Sequence, residues 1–307
     1  MSVRNDLESL ESLTIYEMKT WLGTGAGMWT AKNRGRYDRG QLRYPCDLTD
    51  EEWALVEPLI PPAKPGGNRR RVDVREIVNA IMYILTTGCQ WRALPKDLPP
   101  RSTVYDYLDL WSHDGTLDRI HHALYVQCRE QEGREASPTA AIIDSQSVKS
   151  AEKGGASIDP HGYDAGKKIK GKKRHVLVDT VGLLLHAIVH PANIQDRDGG
   201  ILLLSTLFGR YPFLKKLFAD AGYQGPQFQK AKAKILPHVE TEIVKRSDQA
   251  RHKFVVLPRR WIVERTIAWL NRCRRLAKDW ENLNRKALAF LQLASIRLML
   301  RRLCNSI

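Results

Sequence analysis

Three acids, Asp144, Asp220 and Glu264, have the residue types and settings best suited to chemistry in this 307-residue sequence. Asp144 closes the apolar run Ala140-Ala141-Ile142-Ile143 and is followed by Ser145-Gln146-Ser147. Asp220 closes the run from Leu214 to Ala219 and is followed by Ala221-Gly222-Tyr223. Each reads as the C-terminal end of a short strand. If those strands are sheet neighbours, both side chains leave the same edge. Two carboxylates side by side repel, and burial raises the cost of ionising both, so such a pair shares a proton or binds a cation. An oxygen-only donor set suits magnesium. Singly, either aspartate reads as a turn residue or helix cap; as a pair, in this order of elements, they read as a site.

Glu264 lies on a predicted long helix from Arg259 to about Glu281. Ile262, Trp269, Cys273, Leu276 and Trp280 recur at helical steps and are expected to face the core, whereas Arg260, Glu264, Ala268, Asn271 and Arg275 fall on another face. With arginines one turn away, Glu264 has two readings: a third site acid, or half of a surface ion pair worth at most about 1 kcal/mol. Asp179 reads as a turn residue, Asp196 and Asp198 as helix caps, and Asp159 and Asp164 as members of a polar loop.

The elements that must position these acids change character along the chain. Residues 1–42 are weakly patterned and read as a partly disordered appendage. From 43 to 131 the pattern is helical. Thr49-Asp50-Glu51-Glu52 has the capping-box form, Gly88 ends a second helix from Asp73 to Thr87, Ser102 is a fair N-cap for a third, and Thr116 opens a fourth. Short helices with arginines at their turns are compatible with a helix-turn-helix. Residues 132–138 read as a linker. From 139 to 307 the order is strand, hairpin (Arg174–Asp179 and Leu183–Val189 around Gly182), helix, strand, helix, strand, helix. This is the α/β order of a ribonuclease-H-like mixed five-stranded sheet with flanking helices, preceded by a small all-helical domain.

The formal charge of +15 implies a polyanionic partner. No run approaches the roughly 18 apolar residues of a membrane span, and Met1 to Glu8 lack the apolar core of a signal peptide. A cytoplasmic, nucleoid-associated protein that binds nucleic acid and no membrane is the expectation. The five cysteines are far apart and form no CxxC pair, which argues against a disulfide framework or a zinc site. Positive charge concentrates in three places: Arg69-Arg70-Arg71; Lys167, Lys168, Lys170, Lys172, Lys173 and Arg174, six cations in eight residues; and residues 251–307, with fourteen lysines and arginines against three acids. Such clusters give salt-sensitive phosphate affinity without sequence choice. The expected contacts are Arg69, Arg70, Arg71, Lys170, Lys172, Lys173, Arg174, Arg260, Arg265, Arg272, Arg274 and Arg275.

Several stretches together resemble the DDE transposases of bacterial insertion sequences, in the insertion-sequence-five family. They are Tyr44 to Trp53, Thr87 to Arg92, Ile143 to Ser147, Ala219 to Tyr223, and Arg260 to Arg265 with Trp269 and Arg274-Arg275-Leu276; the resemblance spans about 43–303. It implies a catalytic, metal-binding triad at Asp144, Asp220 and Glu264. Two Mg2+ ions, with Mn2+ as a substitute, would serve strand cleavage and strand transfer. The implied partners are double-stranded DNA, as terminal inverted repeats and target, and a second copy of the chain in a homodimer or higher oligomer. The superfamily signature of Tyr, Arg, Glu and Lys is matched at Arg260 and Glu264, whereas its Tyr place holds Leu257 and its Lys place Asn271. The alternatives are a cleavage-inactive DNA-binding derivative and a ribonuclease-H-like nuclease.

Overall fold

In a computed structural model of the chain, described for residues 37–63, 66, 70–152, 157–207, 209–244 and 260–305, Thr49 opens a helix as its sequence requires. Its hydroxyl accepts the Glu52 N–H, and the Glu52 carboxylate accepts the Thr49 N–H, so two helix-end donors are satisfied reciprocally. This helix, α1 (Asp50–Val56), is followed by α2 (Val74–Thr87), α3 (Arg101–His113) and α4 (Thr116–Gln131). Ser102 is not a cap: α3 begins one residue earlier, behind Pro100. The appendage expected at 1–42 lies, except for its last residues, outside the described part.

Gly88 explains part of the Thr87-Gly88-Cys89-Gln90-Trp91-Arg92 pattern. It caps α2 at φ 68, and a Cβ there would fall 3.1 Å from the Arg274 backbone. Gly88→Ala combines a left-handed backbone with that close approach. It is expected to destabilise the fold by about 1–2 kcal/mol, read as a lower midpoint in urea unfolding.

The second half forms β1 (Ala140–Lys149), β2 (Gly162–Asp164), β3 (Ile169–Asp179), β4 (Leu184–Pro191), α5 (Asp196–Ser205), β5 (Lys216–Ala219), α6 (Pro226–Ile235), β6 (Glu240–Ile243), α7 (Arg260–Leu270) and α8 (Asn284–Cys304). The sheet runs β2-β3-β1-β5-β6, with β4 also on β3. β1, β3 and β4 pair antiparallel, and β5 and β6 are added parallel. The expected five strands are thus joined by a sixth. β2 is three residues long in a polar, glycine-bearing stretch, so alternation of apolar residues gave it no signal.

Two further expectations are corrected. β1 does not end at Asp144 but continues to Lys149, paired to β3 as far as Gly171; its alternation of Ser145, Ser147 and Val148 is a strand whose inner face is partly polar. The helix bearing Glu264 ends at Leu270, not near Glu281. The Arg272 and Cys273 amides bond three residues back, and the chain turns so that Asp279 lies beside the end of β1: its N–H meets the Lys149 carbonyl at 3.0 Å, and its carbonyl accepts the Ala151 N–H at 2.9 Å. Tertiary pairing overrides the helical period there, and Trp280 is 41% exposed instead of packed.

The core is continuous between the halves. α8 follows the sheet in sequence but packs on all four N-terminal helices and on β4. No helix among the described residues is long and apolar enough to cross a membrane. All five cysteines are free thiols, three of them buried.

Candidate active site

Ladder register brings the two aspartates together. β1 and β5 are parallel neighbours with Ile142 opposite Phe218. Two residues further on lie Asp144 and Asp220, in equivalent register on strands whose ordinary spacing is about 4.8 Å. Their environments differ. Asp144 remains inside β1, opposite Val176, and its Oδ1 accepts the Ser145 N–H at 2.7 Å. Burial pushes it up to about 6, with Asp220 adding to the rise and Arg260 and Lys167 opposing it. Asp220 has left its strand, and its Oδ1 caps the following turn by accepting the Gly222 N–H at 2.8 Å.

Glu264 reaches this pair through Arg260. α7 packs on β1 and β3. From its first turn, Arg260 Nη2 lies 3.7 Å from Asp220 Oδ2 and 3.3 Å from Glu264 Oε1. The ion-pair reading of Glu264 is the one seen here: it pairs with Arg260 one helical turn away, and that guanidinium also lies beside Asp220. Glu264 is exposed. Among the described residues no three acids, histidines or cysteines stand together closely enough to hold a metal. The donor chemistry fits a hard divalent cation, since the acids are oxygen donors and two of them, Asp220 and Glu264, already share one positive charge, the Arg260 guanidinium.

The family assignment rests on the whole of this region. A family model described as "Transposase DDE domain" matches residues 135–299, more than half of the chain. The chain belongs to this transposase family. A second model, described as "Putative transposase of IS4/5 family", matches residues 48–121 in the helical part. The chain is 34% identical over 108 residues to the "Insertion element IS402 uncharacterized 16.2 kDa protein" of Burkholderia cepacia, covering 33% of this chain and 72% of that protein. It is 31% identical over 122 residues to the "Putative transposase for insertion sequence element IS402" of the same organism, covering 36% and 54% respectively.

The transposase buries much of the positive charge that composition alone assigns to its surface. Along β3, side chains alternate between faces. Lys172 and Arg174 point toward the turn after α7: Lys172 Nζ is 4.0 Å from Asp279 Oδ2, and Arg174 Nη1 donates to the Leu276 carbonyl at 2.9 Å. Lys173 points the other way, donating to Asp196 Oδ1 at 2.7 Å and the Ile194 carbonyl at 2.8 Å. All three are buried, so these expected phosphate contacts are corrected to internal struts. Of the four contacts expected on β3, only Lys170 is exposed. Arg265 lies over Trp261 and Trp269, at 4.4 and 4.5 Å from their ring centres, and donates to the Val181 carbonyl. Arg275 is buried on Glu281, with a 2.7 Å bond from Nε, and on the Cys89 carbonyl. These two also serve packing, because α7 stops before Arg275 and turns Arg265 away from the acids. Arg71, Arg272 and Arg274 are exposed, Arg70 leans on the Pro61 carbonyl and Tyr107, and Arg69 lies outside the described residues.

Sequence reasoning set Asp196 aside as a helix cap. It is the first residue of α5, and its carboxylate also accepts the Ser145 hydroxyl at 2.8 Å, one residue from Asp144. Gly199 lets α5 lie this close, since a Cβ there would fall 2.3 Å from the His175 ring. Tyr223, fully buried, brings its hydroxyl beside Ser145 and into the field of Asp144, Asp196 and Asp220; burial, first, and those carboxylates hold its proton on. The available signal was the alternation Asp144, Ser145, Gln146, Ser147, which places a hydroxyl on the face of β1 opposite the first acid.

Proposed function

We propose that this transposase binds the terminal inverted repeats of its insertion sequence and catalyses metal-dependent strand cleavage and strand transfer with Asp144, Asp220 and Glu264. The observation that supports this most is the parallel pairing of β1 with β5, which sets Asp144 and Asp220 each two residues beyond the Ile142–Phe218 pair, with Arg260 linking Asp220 to Glu264. The strand order, antiparallel first and parallel after, supports a ribonuclease-H-like catalytic unit over 139–307, joined through 132–138 to an end-recognition unit over 43–131. Two elements ends must be held at once, so at least a homodimer acts on the DNA, in the cytoplasm at the nucleoid.

The three carboxylates would hold Mg2+, or Mn2+ in its place; when bound, such ions supply activation of the attacking oxygen and stabilisation of the leaving one. The chain's own groups do the rest. Asp144 and Asp220 present adjacent oxygens from a rigid sheet edge, so their placement costs little reorganisation. Arg260 balances the charge of Asp220 and Glu264 and keeps the two acids beside each other. Exposed Arg71, Lys170, Arg272 and Arg274, with Arg260 at the site itself, contact backbone phosphates and position the duplex without reading its bases.

The test is cleavage of a labelled duplex carrying the inverted repeat found beside the gene. The expected product is a nick at the element end leaving a 3′-OH, dependent on Mg2+ and lost in Glu264→Gln. Equal cutting of a scrambled end would point to a general nuclease, and absence of cutting despite end binding to a cleavage-inactive derivative.

A further inference from the structure

Of the six cations between 167 and 174, one reaches back to β1 at Ser145, the residue next to Asp144. The strands β2 and β3 form a hairpin whose tip turns at Gly166–Lys168. The Lys167 N–H donates to Asp164 Oδ1 at 3.0 Å. Lys168 adopts φ 54, and it is the one positive-φ residue other than glycine among the described residues. L-residues with a Cβ take that conformation rarely, so the tip has a specified shape. Asp164 in turn accepts the Ser147 hydroxyl at 2.5 Å, which pins the hairpin to β1. The result carries the Lys167 side chain back across β1, where Nζ lies 3.3 Å from the Ser145 carbonyl and 3.4 Å from the Ser145 hydroxyl.

Those two contacts are long for an ammonium group, and both are to neutral oxygens. Lys167 is exposed and, among the described residues, has no carboxylate in ion-pair contact. The neighbouring cations are already engaged. Lys173 is buried on Asp196 and the Ile194 carbonyl, and Arg260 lies between Asp220 and Glu264. The Lys167 Nζ nonetheless sits at Ser145, the residue next to Asp144, whose hydroxyl donates to Asp196 Oδ1 at 2.8 Å. A strand entering this cluster of acids brings phosphates that the carboxylates repel. A rim cation with a spare N–H and no committed anion is what such a strand requires.

We propose that Lys167 binds a backbone phosphate of the reacting DNA strand within about two nucleotides of the cut bond, and so positions that bond over Asp144. This rests on the transposase reading and names a contact within it. The closing experiment scans an element-end duplex with single uncharged methylphosphonate linkages on either side of the cut. Binding is read without divalent metal, and cleavage with Mg2+. In wild-type protein one linkage near the cut is expected to weaken binding roughly tenfold. Lys167→Met should lose sensitivity at that linkage alone, and the slope of log affinity against log salt should fall by about one. Lys167→Arg should restore both, while Lys168→Met, which removes the same charge from the same tip, should leave the sensitive linkage in place. A Lys167→Met protein with the wild-type linkage profile overturns the inference while the transposase reading stands. Wild-type protein that neither binds nor cuts the end overturns both.

Discussion

Asp144→Asn is expected to abolish end cleavage and, in the same preparation, to make the metal-free protein more stable. Loss of one preorganised electrostatic partner already costs about 10²–10³ in rate; removing a carboxylate from the proposed reacting centre should cost at least that, leaving no product over background. The stability gain follows from burial. Asp144 has its carboxyl raised from 3.8 to about 6 because desolvation penalises the charge more than Ser145, Arg260 and Lys167 relieve it. A raised folded-state value means the folded protein holds this proton more tightly than the unfolded chain does. The wild-type protein therefore loses stability as pH climbs from about 4 to about 6, and above that range the full penalty, on the order of 2 kcal/mol, is present. Asn carries no such penalty. Thermal unfolding with a chelator should show Asp144→Asn above wild type at pH 8, with a smaller gap at pH 5. A variant that melts below wild type at pH 8 would mean the carboxylate is a structural partner; one that still cuts would remove Asp144 from the triad.

That prediction turns on a distinction legible in the sequence only in outline. Apolar runs ending in Asp144 and Asp220 were enough to find β1 and β5 and to suggest adjacency. Their shared register was not legible, because register is set by pairing between Ile142 and Phe218, residues far apart in the chain. The charge reading failed for a related reason. A run such as Lys172-Lys173-Arg174 looks solvated when read as composition, yet in a central strand the side chains must enter one face or the other. Here Asp279, the Leu276 carbonyl, Asp196 and the Ile194 carbonyl wait on those faces. The helix of Glu264 was read too long because Cys273 and Leu276 are buried from a turn at spacings a helix would also produce. Local pattern thus served well where one element decides burial, as at Thr49 and Gly88, and poorly where a distant partner does.

Asp179, which reads as a turn residue, is such a case with large energetic consequences. It is one: Oδ1 accepts the Val181 and Leu183 amides at 3.0 and 2.8 Å, closing the β3–β4 hairpin. Its Oδ2 also accepts Arg129 Nη1 at 2.8 Å and the Tyr125 hydroxyl at 3.2 Å, both from α4. Arg129 is 1% exposed and Asp179 not at all. Asp179→Asn can keep the turn bonds through its amide oxygen but removes the negative charge that Arg129 Nη1 meets at 2.8 Å. Breaking a buried pair from one side costs about 3–5 kcal/mol, so the urea midpoint should fall far enough to threaten folding at growth temperature. Arg129→Met combined with Asp179→Asn should recover much of the loss, because no uncompensated charge remains; a double-mutant cycle showing simple additivity would contradict the pairing. The same turn holds α7 from its other side, through Thr266 Oγ1 to the Gly182 carbonyl at 2.8 Å and Arg265 to the Val181 carbonyl at 3.1 Å. Asp179 therefore stands between the helical region and the helix that carries Glu264. At a temperature where Asp179→Asn is still folded, its cleavage rate should drop while the end binding proposed for the helical region persists. Equal loss of both would show that the ion pair supports the fold alone and not the seating of Glu264.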